Sequence, residues 1–204
     1  MKKRFLILAI GFVVLGGSLI WKLQPTRSQA GDPNQVTSAV SSEEAKLESL
    51  SQNSDIIATG RCTGTRSMWI QDGRVLVTLA DIAVDDVVKG ESTTTNLTVV
   101  LPGGVDANRR IPVAMNYPGA ARIADGENVF LFLKDDAGQV PGGYAVTGFS
   151  EGKYTIVSGE QGEKLVASDN ISTPVKTGPG AVRGHRNVVE LNSFKQKVKD
   201  YVGR

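Results

Sequence analysis

Residues 56–84 read IIATGRCTGTRSMWIQDGRVLVTLADIAV, and the fold class turns on them. From Ile56 onward Ile56, Ala58, Gly60 and Cys62 share one parity. A period of two sends alternate side chains to opposite faces of an extended chain, so this stretch predicts a strand. Gln71-Asp72-Gly73 is a hairpin signal, because these residue types tolerate positive φ. On the return, Val75, Val77 and Leu79 alternate, but Ile82 and Val84 continue on the opposite parity. Such a switch predicts a bulge or sharp bend, the device by which a sheet curls. Cys62, on the apolar parity, is expected to be buried as a small hydrophobe.

Further along, Lys89-Gly90 stops the second strand, Leu97 to Leu101 predicts a third, and Pro102-Gly103-Gly104 breaks it. Residues 105–126 read as one long irregular stretch. Val129-Phe130-Leu131-Phe132-Leu133 is wholly apolar and predicts a central strand. Asp135-Asp136-Ala137-Gly138 turns the chain. Tyr144 to Phe149 and Lys153 to Val157 are expected as a hairpin across Ser150-Glu151-Gly152, with Leu165 to Ala167 added at an edge and 170–187 left as loop. Leu191, Phe194, Val198 and Tyr201 fall at helical spacing and predict a closing helix over about 192–202, capped by Asn192 or Ser193.

Toward the N-terminus, Ser41-Ser42-Glu43-Glu44 offers a capping box for a short helix from 41 to about 53, and residues 31–40 read as a linker. The sum is one mainly β (α+β) domain over 41–204. Its expected form is a small OB-like β-barrel with a short N-terminal helix and a C-terminal helix, preceded by a signal or anchor helix.

That leader spans residues 1–30. Lys2-Lys3-Arg4 precedes an uncharged run from Phe5 to Trp21, and Ser28-Gln29-Ala30 sets small residues before a cleavage point between Ala30 and Gly31. Positive charge ahead of an apolar run keeps the N-terminus cytoplasmic and sends the rest of the chain outside. If uncleaved, residues 5–21 form a membrane anchor. The leader also distorts the charge of the whole chain. It holds five of the 23 bases and no acid, so residues 31–204 carry 18 bases against 21 acids, a net charge of −3. No basic field remains to attract nucleic acid.

The chemistry available is narrow. One Cys excludes an internal disulfide framework, and one His excludes a two-His metal site. No metal or other cofactor is expected. Gly148-Phe149-Ser150-Glu151-Gly152 matches G-x-S-x-G, and Asp169 and His185 follow in the order of a hydrolase triad. That motif needs a strand-to-helix elbow, whereas Lys153 to Val157 is strand-like, so Ser150 is expected in a hairpin turn. Asp85-Asp86 and Asp135-Asp136 lack further oxygen ligands at loop spacing and read as solvated turn ends. Arg183-Gly184-His185-Arg186 reads as a small basic surface loop. A partner surface is sought at Trp69 near the hairpin tip and at Arg109, Arg110 and Tyr117 in the long stretch, since aromatics and Arg favour recognition sites.

Ser54-Asp55-Ile56-Ile57-Ala58-Thr59-Gly60, Val87-Val88-Lys89-Gly90, Leu101-Pro102-Gly103-Gly104, Asp125-Gly126-Glu127 before Val129 to Leu133, and Gly148 to Tyr154 together resemble a group of exported bacterial β-domains. The resemblance covers about residues 41–202. More distantly, a helix-to-strand start followed by a strand ending in Lys-Gly is similar to netrin-like modules, for which the resemblance implies an OB-type barrel. The inhibitors among those modules use an N-terminal Cys, where this chain has only Cys62 in mid-strand.

The expected function is an exported, non-catalytic binding or scaffolding module for an extracytoplasmic protein or polymer. A serine hydrolase using Ser150, Asp169 and His185 is the alternative, and a peptidase-inhibitor-like netrin-type module is a further one. A reporter enzyme active only outside the cytoplasm, fused after Tyr201, is expected to be active. Activity confined to a cytoplasmic-type reporter would remove the export expectation.

Overall fold

The computed structural model describes residues 33–90, 95–135, 140–168 and 188–203, with side chains from residue 42 onward. The leader, the Ala30–Gly31 junction, Asp136, Asp169 and the 170–187 loop with His185 lie outside the described residues. Among the described residues no helix is long and apolar enough to cross a membrane.

The elements in order are α1 (Pro33–Asn53), β1 (Ile56–Ile70), β2 (Val75–Lys89), β3 (Asn96–Pro102), β4 (Gly104–Asp106), β5 (Val113–Met115), β6 (Asn128–Asp135), β7 (Gly143–Val146), β8 (Lys153–Ser158), β9 (Lys164–Ser168), β10 (Val188–Glu190) and α2 (Leu191–Val202). Among the described residues the fold is mainly β. The helix α1 begins at Pro33, so the expected linker over 31–40 is largely helical and Ser41 sits inside a helix rather than at its cap. Proline suits a first helical turn, where its missing N–H has no partner to lose.

Eight strands form one sheet in the order β1-β2-β3-β7-β6-β8-β9-β10, and β1 pairs again with β6 from Ile56–Leu133 to Arg61–Asn128. The sheet is not the small closed barrel expected. The reason is a fork at β6. Its Leu133–Asp135 segment pairs with β7, and on the same edge its Val129–Leu131 segment pairs with β8. One branch leads back through β7, parallel to β3, while the other runs outward through β9 to β10. The expected hairpin of residues 144–149 with 153–157 is therefore absent, because β7 and β8 lie end to end along β6 instead of against each other. Leu165 to Ala167, expected at an edge, is flanked by β8 and β10.

The strand β6 explains its own composition. Val129, Leu131 and Leu133 enter one core cluster with Ile56, Ala58, Cys62, Ile82, Leu97, Val99 and Leu101. Phe130 and Phe132 face the other way, into a cluster with Leu47 and Leu50 of α1 and Leu191, Phe194 and Val198 of α2. All five residues are at most 1% exposed, so none of these five positions tolerates a polar side chain. Phe130 meets Phe194 edge-on with centroids 5.0 Å apart, and Tyr154 meets it at a tilt with centroids 5.1 Å apart. Burial first, then Glu43 and Glu151, pushes the Tyr154 hydroxyl up to about 12. The predicted stripe of α2 is the buried one, but its cap is Glu190, whose carboxylate accepts from the Asn192 and Ser193 N–H groups at 2.9 and 2.7 Å.

The parity switch in β2 has a different cause from the one expected. Residues 77 to 83 pair with β3 without interruption. Val77 and Leu79 are buried with Val100 on one face, and Ala80 and Ile82 in the main core on the other. The strand simply changes which face is covered. The register shifts lie instead in the β1–β2 ladder, at Ile57/Ala58, Thr59/Gly60 and Cys62/Gly64. Asp85 and Asp86, read as turn ends, are strand residues, with Asp86 accepting from Lys195 at 2.9 Å.

At the second shift only glycine fits. A Cβ on Gly60 would stand 2.3 Å from the Ala83 carbonyl oxygen and 2.8 Å from Ile82 Cγ2. Gly60→Ala is expected to cost about 3 kcal/mol by forcing two backbones apart, measured as a lowered denaturant midpoint.

Candidate functional site

The face of β2 that carries Val77 and Leu79 is the start of the site. Residues opposite each other in a ladder share a face. Ile70 stands opposite Val75, Met68 opposite Val77 and then Pro102, and Leu79 opposite Val100 and then Ala145. Four neighbouring strands, β1, β2, β3 and β7, therefore present apolar side chains away from the main core. At the far end the face turns polar, where the Asp81 carboxylate takes the Arg66 guanidinium and the Thr98 hydroxyl.

A groove of about 350 Å³ runs over this face, with Val75, Val77 and Val100 as floor and Ile70, Tyr117 and Phe149 among its walls. Two turns supply the aromatic walls. Tyr117 opens a turn closed by the Ala120 N–H to Tyr117 carbonyl bond of 3.1 Å. Phe149 sits beside Gly148 in the turn between β7 and β8, both residues with φ near +68°. Gly148 carries no penalty there, but a bulky side chain in the left-handed region costs about 1–3 kcal/mol. The conformation persists because α1 braces the turn from behind. Ser54 Oγ lies 2.8 Å from Thr147 Oγ1, and Lys46 pairs with Glu151 at 2.8 Å. Phe149 is left 46% exposed and Tyr117 39%.

The four residues singled out in the sequence separate. Tyr117 lies on the groove. Trp69 and Arg109 meet each other on the opposite face of β1, since Trp69 and Ile70 are successive residues of one strand. The Arg109 guanidinium lies 4.4 Å from the Trp69 ring centroid. Asp106 Oδ2 accepts from Trp69 Nε1 at 2.7 Å and from Arg109 Nε at 3.1 Å. The Trp69 N–H first, and the Asn108 N–H and Arg109 with it, holds the Asp106 carboxyl below its usual range against the opposing effect of burial. This trio fastens the β4–β5 hairpin onto β1 and β2, helped by the Thr78 hydroxyl donating to the Gly103 carbonyl at 2.8 Å. The hairpin also shows that residues 105–126 are not irregular throughout. Arg110 is an exposed neighbour at its tip and does not line the groove.

Phe149, Asp106 and the valines of the groove floor went unread in the sequence. The floor had a visible signal, since Val100 and the pair Val77 and Leu79 are apolar on the parity opposite to the core. Phe149 had none beyond its place inside the G-x-S-x-G match. Ser150, the candidate nucleophile of that match, lies in a turn that leads into β8, so the strand-to-helix elbow is not formed. Asp169 and His185 are outside the described residues. Among the described residues no group of His, Cys, Asp and Glu could hold a metal ion.

A second polar cluster lies within the fold. Lys153, only 4% exposed, pairs with Glu127 at 2.5 Å, and the Thr155 hydroxyl donates to Glu127 at 2.7 Å. Burial raises the Glu127 pKa, but Lys153, the Ala124 N–H and Thr155 together outweigh it and hold the carboxyl below its usual range. Nearby Cys62 is 1% exposed as expected, and burial above all pushes its thiol up, so it stays protonated. Comparison with protein-family models, with curated proteins and with solved structures returns no match.

A carboxylate held below its unfolded pKa contributes stability above that value and loses it as pH falls through the folded one. Stability is thus expected to drop below about pH 4.5, and Glu127→Gln should flatten that drop, read from denaturant midpoints across pH. Lys153→Ala, which leaves a partly buried carboxylate without its cation, is expected to cost about 3 kcal/mol at neutral pH.

Proposed function

We propose that this chain is an exported, non-catalytic binding module whose site is the apolar groove over β1, β2, β3 and β7. One observation carries the reading: the groove on this face has a floor of valines, yet it leaves Tyr117 and Phe149 standing open above it. Monomeric domains seldom keep contiguous apolar surface open without a use for it. The volume of about 350 Å³ suits a small apolar ligand or a few apolar side chains of an extracytoplasmic protein or polymer. The strained turn favours the same reading. Phe149 is held at a cost in stability, and strain of this kind gathers where a side chain must be presented.

The finer architecture belongs to this proposal. The circuit β1-β2-β3-β7-β6, with its return to β1, supports an OB-like core to which β8, β9, β10 and two helices are added. Export rests on the tribasic start and the apolar run after it, and residues 5–21 would tether the module if the leader is retained.

Binding of an apolar fluorescent dye to the purified chain tests the site. Tyr117→Ala and Phe149→Gly are each expected to weaken it about tenfold, the loss of one buried aromatic contact. Phe149→Gly should at the same time raise stability by about 1 kcal/mol, because glycine adopts this φ without strain. Dye affinity untouched by both changes would refute the groove. Ester or peptide turnover that vanishes in Ser150→Ala would refute the non-catalytic reading.

A further inference from the structure

The far half of β1 has one edge that no strand among the described residues pairs with, and hydrogen-bond parity fixes which residues form it. The Gly103 N–H donates to the Leu76 carbonyl at 3.0 Å, and the Val84 N–H to the Thr95 carbonyl at 2.8 Å. Both β2 residues are even-numbered and bond on the β3 side. In an antiparallel ladder a residue's N–H and C=O point the same way, and successive residues reverse. Val75, Val77, Leu79 and Asp81 therefore turn toward β1, where they face Ile70, Met68, Arg66 and Gly64. That leaves the main-chain groups of Thr65, Ser67 and Trp69 directed away from β2. On that side β6 covers β1 only from Ile56 to Arg61, and Cys62 continues to the Glu127 carbonyl. Among the described residues no strand pairs with Thr65, Ser67 or Trp69 on this edge.

The usual guards of an exposed edge are weak here. The segment has no proline, and its one charge, Arg66, is drawn back onto Asp81 of the neighbouring strand. The β4 strand does not fill the gap, because it lies over the face of the arm. The Val105 N–H donates to Ser67 Oγ at 3.1 Å, and a Cβ on Gly104 would stand 2.6 Å from Ser67 Oγ and 2.7 Å from Thr78 Oγ1. Exposed apolar side chains flank the edge on both sides. Met68, 39% exposed, stands on the groove face, and Val105, 58% exposed, on the β4 side.

We propose that this edge pairs with the same edge of a second copy of the chain, antiparallel, about a two-fold axis at Ser67. Three residues with alternating outward groups are self-complementary under such an axis. Ser67 faces Ser67 of the second copy, and Thr65 faces its Trp69, so every outward N–H meets an outward C=O. On the groove face Arg66 then stands opposite Met68 rather than opposite another Arg66. The pairing joins two sheets and covers Met68 and Val105 in both copies.

Cysteine placement in the full-length chain, kept soluble in detergent, tests this register. Cα atoms of a hydrogen-bonded antiparallel pair lie about 5.5 Å apart, within the span of a disulfide. Ser67→Cys is expected to form a covalent dimer on mild oxidation, while the wild-type chain, with only buried Cys62, does not. Asp72→Cys is the control, since position 72 lies five residues from the axis and its two copies would be about 34 Å apart. Adding Met68→Lys to Ser67→Cys sets a lysine opposite Arg66 of the second copy and should lower the dimer yield about tenfold with an unchanged circular dichroism spectrum. A Ser67→Cys yield no higher than that of Asp72→Cys, or a yield indifferent to Met68→Lys, would overturn the proposal. Cross-linking of Ser67→Cys to other polypeptides but never to itself would overturn it too, and would give the edge to a foreign strand.

Discussion

The burial of β6 on both faces is the constraint from which the rest of the structure follows. Val129, Leu131 and Leu133 are sealed by β1, β2 and β3, and Phe130 and Phe132 by the two helices. A strand with five buried residues at most 1% exposed must have a layer on each side and neighbours on each edge. The β1 strand fills one edge, and β7 and β8 share the other. The fork follows from length, because β6 has eight residues and β7 and β8 each use only three of them. From it come both the circuit back to β1 and the open wing that ends at β10.

The helices complete that arrangement and also reach the groove. Leu47 and Leu50 hold α1 against the phenylalanines, and Lys197 of α2 ties to Glu44 at 2.7 Å. From this fixed position Ser54 and Lys46 grip the turn between β7 and β8. The left-handed Phe149 is thus stabilised by contacts made on the far side of its own turn. The β1–β2 arm is held differently. It extends past the reach of β6 and gains its cover from the β4–β5 hairpin, pinned by Asp106, Trp69 and Arg109 on one face. Its other face carries the groove, and among the described residues no strand pairs with its outer edge; both readings of function draw on that difference.

Individual residues show where the sequence could be read and where it could not. The β2 alternation was visible, and so was its change of parity. Its cause was not, since a bulge and a change of covered face leave the same pattern in a single strand. The α2 stripe was legible because 3.6-residue spacing is local, but its cap was assigned to Asn192 or Ser193 when Glu190 does the work from outside the expected range. Trp69 and Arg109 draw attention in the sequence each for its own chemistry. Forty residues apart in the chain, they meet through Asp106, a contact no local pattern announces, and of the four residues Tyr117 is the one on the groove.

The sequence alone determined what depends on neighbours within a few positions. Periodicity marks β1, β2, β3, β6 and α2, turn chemistry marks Gln71 to Gly73, and counting excludes disulfide and multi-histidine chemistry. Tertiary structure decided what depends on which strand lies beside which. Pairing partners carry no local signature, because any extended segment offers the same main-chain groups to any other. So the split of β7 and β8 along β6, the buried Glu127–Lys153 pair, and the apolar face shared by four strands emerge only when residues distant in sequence are brought into register.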